Sequence, residues 1–138
     1  MRPPHSLNLF FLLSHRSPRG QSLVELALTL PILLLLLVGV LDLGRLYFAQ
    51  ITVVNASREG ARYATTNPTN STGITTKANN EASGSGITLG SVTASCANGC
   101  TAGNPVRVTV TANFQLITTY LFGGGTIPLS AYTEMVIF

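Results

Sequence analysis

The fold of this chain is decided by residues 22–41, which read SLVELALTLPILLLLLVGVL. Glu25 is the only ionisable residue in this apolar run. As a helix rising about 1.5 Å per residue, the run spans roughly 30 Å, the thickness of the hydrocarbon core of a bilayer. At roughly −0.3 to −0.6 kcal/mol each, residues 32–38 favour insertion by about 2 to 4 kcal/mol, against at most about 3 kcal/mol for the carboxylate. The sequence therefore predicts one membrane-spanning helix.

The flanks of the apolar run argue against a secretory signal peptide and predict an orientation. A signal peptide usually has an apolar core of about 7–15 residues that ends at a small-residue cleavage site. This run is longer, and DLGR at 42–45 follows it. A second apolar patch, Leu7–Leu13, is too short to span a membrane. Because Arg16 and Arg19 precede the run, the positive-inside rule places the N-terminus in the cytoplasm and the C-terminal part outside.

Charge and composition argue against several classes of function. The chain has 138 residues, of which 9% are charged, against about 25% in a typical soluble domain. Three of the eight basic residues lie in the first 19 positions, and the other five balance the five acidic residues, so no nucleic-acid surface is predicted. His5 and His15 lie in the same tail, which leaves residues 21–138 without the commonest general base and metal ligand. We therefore predict no catalytic residue, metal, cofactor or small-molecule substrate.

The helical pattern continues beyond the apolar run. Spacings of four and three put one set of residues on a single helical face: Leu43, Tyr47, Gln50, Val54, Ser57, Ala61 and Ala64. The pattern predicts one helix from about Ser22 to about Thr65, ended by Asn67-Pro68. Small residues four apart, such as Ala56 and Gly60, allow close approach of a helix or sheet, either in this chain or in a partner. A polar loop follows, with a short helix predicted around Thr75–Ala82.

The C-terminal third alternates between apolar and polar residues. The apolar positions are Val106, Val108, Val110, Ala112, Phe114 and Leu116, and the residues between them are polar or charged. This alternation predicts a half-buried strand. A strand near Ile87–Val92, broken at Gly90, and another over Ile127–Ile137 would complete a three-stranded antiparallel sheet. The sheet's apolar face needs a cover, and the long helix is the only large candidate, so the predicted fold class is α+β.

The chain has two cysteines, Cys96 and Cys100, which bracket a turn between the first two strands. Outside the cytoplasm a pair this close in sequence favours a disulfide. In the chain-entropy model so short a loop adds only about 2 kcal/mol of stability. A zinc site is disfavoured because zinc needs four ligands.

Four strings in order resemble one known family. They are RGQSLVE at 19–25, ALTLP at 27–31, DLGR at 42–45 and ASREGARYA at 56–64. Together they resemble the TadE-like pseudopilins of the tight-adherence pilus assembly system. The resemblance covers about a third of the chain, Arg19 to Ala64, and the C-terminal strands are similar only in pattern. One departure is Leu26, where the family often has an aromatic residue.

The resemblance implies a pilin-like, single-pass membrane protein in three segments: a prepilin-type leader (1–20), a membrane helix continuing as an amphipathic helix (21–66), and a loop with an extracytoplasmic β domain (67–138). A membrane-embedded prepilin peptidase would cut between Gly20 and Gln21. Glu25 would become the fifth mature residue and set the register of assembly. The simpler alternative for Glu25 is a carboxylate favoured by the dipole at a helix N-terminus.

The resemblance implies a non-enzymatic minor pseudopilin or pilus-assembly component in the bacterial inner membrane. Its C-terminal domain would be periplasmic or extracellular. Its partners would be membrane lipid, the prepilin peptidase and other pseudopilins or pilus-assembly subunits. The alternative is a membrane-anchored extracytoplasmic module that binds a partner but is neither cleaved nor polymerised.

Overall fold

The computed structural model describes residues 18–138 and divides the chain into two compact units between Leu37 and Val38. The first helix, α1, runs from Pro18 to Ala64 and contributes to both units. Residues 1–17, which hold most of the predicted leader and the whole apolar patch at 7–13, lie outside the described residues.

The first unit, over its described residues, is the beginning of α1. Every side chain from Gly20 to Leu37 is exposed, including a continuous series of leucines that face all directions around the helix. Pro31 lies inside the helix without ending it. Within residues 18–138, α1 is the one helix that is long and apolar enough to cross a bilayer. This agrees with the single membrane-spanning helix that the sequence predicts.

The second unit combines the rest of α1 with a small sheet. Its other elements are α2 (Ser71–Ala82), β1 (Leu89–Ser95), β2 (Pro105–Phe114), α3 (Thr119–Phe122) and β3 (Ile127–Val136). The strands form one antiparallel sheet in the order β1-β2-β3. The α+β prediction is therefore confirmed. The four-residue helix α3 was not predicted, because one helical turn is too short to show a periodic pattern.

The core of the second unit lies between β2 and the upper part of α1. The alternation predicted for β2 is confirmed, since Val106, Val108 and Val110 are fully buried while Arg107 is exposed. A β-carbon placed on Gly60 of α1 would lie only 3.1 Å from Cγ1 of Val108, so helix and sheet meet there at close range. The small-residue face of α1 thus packs against the sheet of its own chain.

In the lower half of this part of α1, the helical face that the four-three spacing defines is not the buried one. Leu43 and Tyr47 are 65% and 72% exposed, whereas Asp42, Ala49 and Val53 are buried. The chain buries small residues and one carboxylate there. The sheet approaches closely, and the Asp42 carboxylate accepts hydrogen bonds from the N–H groups of Ile117 and Thr118.

The strand predicted near Ile87–Val92 is present as β1, but it runs through Gly90 and is not broken there. The register of β1 against β2 shifts between Leu89 and Ser91. The N–H of Ser91 donates to Oγ1 of Thr111 at 3.0 Å, and a β-carbon on Gly90 would lie 3.2 Å from the same oxygen. A glycine suits this bulge because the neighbouring strand comes so near.

Candidate functional site

The residues of the predicted cleavage site lie in the first turn of α1. Gly20 and Gln21 are exposed, and no atom lies within 4 Å of where a β-carbon on Gly20 would be. The described chain is helical on both sides of the predicted cut, from Pro18 onward. A peptidase would therefore have to bind this bond in a locally opened form or from the exposed side of the helix.

Glu25 lies one turn beyond Gln21, on the same side of α1, and its side chain is exposed. Its backbone carbonyl accepts a hydrogen bond from Oγ1 of Thr29 at 3.0 Å. Among residues 20–138 no cationic side chain forms an ion pair with the Glu25 carboxylate. The helix thus presents a carboxylate in apolar surroundings and leaves it open to a partner from another molecule.

The two cysteines lie in the other compact unit, between β1 and β2. Cys96 and Cys100 are joined as a disulfide, with their α-carbons 5.3 Å apart. The enclosed turn contains Gly99 at φ +88°. Nδ2 of Asn104 donates to the carbonyl of Asn98 at 2.8 Å and so fixes the turn from outside. This arrangement is a structural staple, remote in sequence from Gly20, Gln21 and Glu25.

Among residues 20–138, the carboxylate that accepts the most hydrogen bonds is that of Asp42, which the sequence patterns did not indicate as functional. Asp42 is 2% exposed and lies on α1 directly after the apolar run. Its Oδ1 accepts from the N–H of Ile117, and its Oδ2 accepts from the N–H of Thr118, each at 2.9 Å. Oγ1 of Thr118 adds a third bond at 3.0 Å, and Nη1 of Arg45 donates to Oδ1 at 2.9 Å. We call these four bonds the Asp42 clamp.

Burial alone would raise the pKa of Asp42. The hydrogen bonds from the backbone of Ile117 and Thr118, from the Thr118 hydroxyl and from Arg45 outweigh it, and they hold the pKa of this carboxyl below its usual range. These donors all favour the ionised form. The clamp therefore contains a carboxylate that stays charged at neutral pH and fastens the segment after β2 to α1.

One signal could have revealed the clamp. An acidic residue at position 42 directly follows a long apolar run, and Arg45 lies three residues later on the same helix. Such a pair near the end of an apolar helix is costly unless it is bonded. What the sequence could not supply was the identity of the backbone donors, which lie 75 and 76 residues further along.

The described residues offer no metal site. No group of three or more histidine, cysteine, aspartate or glutamate side chains lies together within residues 18–138.

Comparison with known families bears on α1. Residues 20–62 match the family model described as TadE-like protein. The chain carries a TadE-like segment. The match begins at Gly20 and ends within the last turn of α1, so it confirms the resemblance drawn from the sequence over this segment. No curated protein and no solved structure matches the chain.

Proposed function

We propose that this protein is a non-enzymatic minor pseudopilin, or assembly initiator, of a tight-adherence pilus system. The observation that carries the proposal is the TadE-like match over residues 20–62, which coincides with a helix whose beginning is apolar and exposed on every side. A helix of that kind serves as a membrane anchor and, once extracted from lipid, as a surface for packing against other subunits.

The first step of the proposed function is removal of the leader. The segment before Gly20 is basic, and the apolar run begins two residues after it. A prepilin peptidase on the cytoplasmic side would cut between Gly20 and Gln21, giving the mature chain a new α-amine. That amine has a pKa near 8 and is largely protonated at neutral pH. Cleavage therefore creates a cation at the edge of the membrane-spanning segment.

The second step is pairing of that amine with Glu25 of a neighbouring subunit. An unpaired carboxylate in lipid or in a dry fibre core costs several kcal/mol, and an ion pair with good geometry offsets most of that cost. Support comes from the exposure of Glu25 and from the lack of an ion-pair partner for it within residues 20–138. The pair would set the axial register between adjacent subunits.

The remaining features of the proposal concern the domain and its location. The positive flank at Arg16 and Arg19 supports a cytoplasmic N-terminus and a C-terminal domain that is periplasmic or extracellular. The disulfide between Cys96 and Cys100 suits an oxidising compartment. The partners would be membrane lipid, the prepilin peptidase and other pseudopilins or assembly subunits.

N-terminal analysis tests the cleavage step. The protein is expressed in cells that contain a working prepilin peptidase, extracted from membranes and examined by mass spectrometry. We expect native protein to begin at Gln21 and Gly20→Phe to keep its leader, because a bulky ring in place of glycine would obstruct binding of the peptidase at the cut. The matched control is Gly39→Phe, which changes a glycine of the same helix and should leave cleavage intact.

Two outcomes would contradict this step. Native protein that retains residues 1–20 would favour an uncleaved membrane-anchored binding module. A Gly20→Phe protein that still begins at Gln21 would remove the leader hypothesis.

The register step is tested by replacing the carboxylate. We expect Glu25→Ala to insert into membranes normally but to enter pili at least about tenfold less, which corresponds to ~1.4 kcal/mol per contact. Glu59→Ala is the matched control, because Glu59 lies on the same helix in the second unit and makes only a 4.0 Å pair with Arg62. Quantitative immunoblots of sheared pili and of membranes give both numbers. Native incorporation of Glu25→Ala would refute the register role and favour a simple helix-dipole role.

A further inference from the structure

The Asp42 clamp fixes one loop at a known level along α1. We call residues 115–120, which follow β2, the clamped loop. Its backbone is bonded to Asp42, which comes one residue after the end of the apolar run at Leu41. Residues 38–41, the last turn of that run, belong to the same compact unit as the clamped loop. The clamped loop therefore lies beside the C-terminal end of the apolar run.

The surface around the clamped loop is apolar and aromatic. Ile117 is 40% exposed and Tyr120 is 78% exposed. On the adjoining turns of α1, Leu43, Tyr47 and Phe48 are 65%, 72% and 55% exposed. Tyrosine, which combines an apolar ring with a polar hydroxyl, is enriched where a membrane meets water.

The two stretches of chain around the clamped loop contain few charged residues. From Val108 to Thr133 the sequence contains no charged residue, and from Val38 to Ser57 it contains only Asp42 and Arg45, which pair with each other at 2.9 Å.

The opposite end of the sheet has a different character. Arg107 and Glu134 pair there at 2.8 Å, close to where the N–H of Phe138 donates to the carbonyl of Thr65 at the end of α1. In these stretches the charged residues beside the apolar run are the paired Asp42 and Arg45, and the opposite end, called the charged end below, carries Arg107 and Glu134.

Several backbone groups of the clamped loop are hydrogen-bonded within the chain. Asp42 receives the N–H groups of Ile117 and Thr118, and the N–H of Tyr120 donates to the carbonyl of Ile117 at 3.1 Å. The hydroxyl of Thr119 donates to the carbonyl of Leu116. These bonds lower the cost of bringing this part of the loop into a poorly hydrated medium, because each unsatisfied group costs several kcal/mol in lipid.

A groove on the same end is also compatible with lipid. It encloses about 580 Å³ between α1 and the segment Ser85–Ile87, and its walls include Val40, Phe48 and Phe114. The guanidinium of Arg45 lies 5.1 Å from the centre of the Phe114 ring, at the edge of this groove. An acyl chain has the dimensions and polarity to enter such an apolar groove.

We infer that the clamped loop docks onto the lipid bilayer that holds α1, with Ile117 and Tyr120 inserted into the interface of the leaflet at the C-terminal end of the apolar run. This inference rests on the membrane anchor of the proposed function and adds a second attachment to it. The end of the domain that holds the clamped loop then lies on the membrane, and the end that holds Arg107 and Glu134 faces away. Tyr47 and Phe48 would form the aromatic belt of the same interface.

Single tryptophans test the docking directly, because the chain contains none of its own. The full chain is reconstituted into vesicles of phosphatidylcholine and phosphatidylglycerol, with or without bromine on the acyl chains near the headgroup. The probe is Tyr120→Trp, and Ile117→Trp gives a second reading on the same loop. We expect bromolipid to remove most of the emission of both, with a blue-shifted maximum.

Two matched variants calibrate the measurement. Phe138→Trp replaces an aromatic residue that is 87% exposed at the charged end of the domain, and bromolipid should leave its emission almost unchanged. Leu35→Trp lies in the middle of the apolar run and should be quenched when bromine is placed deep in the acyl chains.

The outcomes distinguish failure of the docking of the clamped loop from failure of the membrane anchor. If Leu35→Trp is quenched while both loop tryptophans keep their emission, the membrane anchor stands and the docking is wrong. If Phe138→Trp is quenched as strongly as the loop tryptophans, contact is not specific to this end and the inference is overturned. If Leu35→Trp is not quenched, the anchor and the docking fail together.

Discussion

The beginning and the end of α1 use the same helical geometry against different surroundings. From Gly20 to Leu37 every side chain is exposed and most are large and apolar. From Ala49 onward the buried residues are small, such as Ala56 and Gly60. Exposed leucines mark the part of the helix that has no packing partner among residues 18–138, and buried alanines mark the part whose partner is the chain's own sheet.

The two glycines Gly39 and Gly60 express this contrast at single positions. No atom lies within 4 Å of a β-carbon built on Gly39, whereas one built on Gly60 would lie 3.1 Å from Val108 and 3.5 Å from Ile74. A larger side chain is therefore accommodated at position 39, whereas close packing favours glycine at position 60.

The largest effect is expected from removing a buried side chain of the second part. Ile74 is 1% exposed, so Ile74→Ala should lower the free energy of unfolding by about 2–5 kcal/mol through lost burial and a residual cavity. Leu35→Ala is the control from the first part and should change it by less than about 0.5 kcal/mol. Denaturant titration of the full chain in detergent, followed by near-ultraviolet circular dichroism, measures both. Equal losses would mean that the contrast between the two parts is wrong.

A smaller effect is expected from overfilling the helix–sheet contact. Gly60→Val would press its methyl groups against Val108 and should cost about 1–3 kcal/mol in the free energy of unfolding. Gly39→Val meets open space and should be neutral or slightly stabilising, because valine loses less backbone entropy than glycine. The same titration compares the pair, and a Gly60→Val protein as stable as native would show that the sheet lies further from α1.

The smallest effect, detectable as a pH dependence, is expected at Asp42, where contacts of α1 with its own chain begin. The folded-state pKa of Asp42 lies below its ordinary value, which is about 3.9. Its contribution to stability is therefore fully present above about pH 4 and is lost as the pH falls through the lower folded-state pKa. Native protein should lose stability more steeply on acidification than Asp42→Asn, as measured by thermal unfolding across acidic pH. Parallel curves would contradict the clamp.

Elements with a repeating pattern could be predicted from the sequence. Five apolar residues at alternate positions of β2 indicated both the strand and its buried face, and an uninterrupted apolar run indicated the beginning of α1. Gly90 indicated the irregularity of β1 because glycine is disfavoured inside strands except where a neighbour comes close.

Features that depend on a single distant contact could not be predicted. The helical face through Leu43 and Tyr47 had the right spacing, but hydrophobicity alone does not reveal that Asp42 is buried by donors 75 residues away. The short helix α3 follows directly from the clamped loop and has no periodicity of its own. The predicted cleavage after Gly20 and the assembly role of Glu25 concern partners outside this chain, so they stay predictions.

The staple between β1 and β2 has a practical consequence for locating the domain in cells. Thiols remain reduced in the cytosol and pair in the periplasm or outside the cell. Cys96 and Cys100 are the only cysteines in the chain. Whether they can be alkylated in intact cells before a reductant is added therefore reports the side of the membrane that the sheet occupies, without any added tag or fusion.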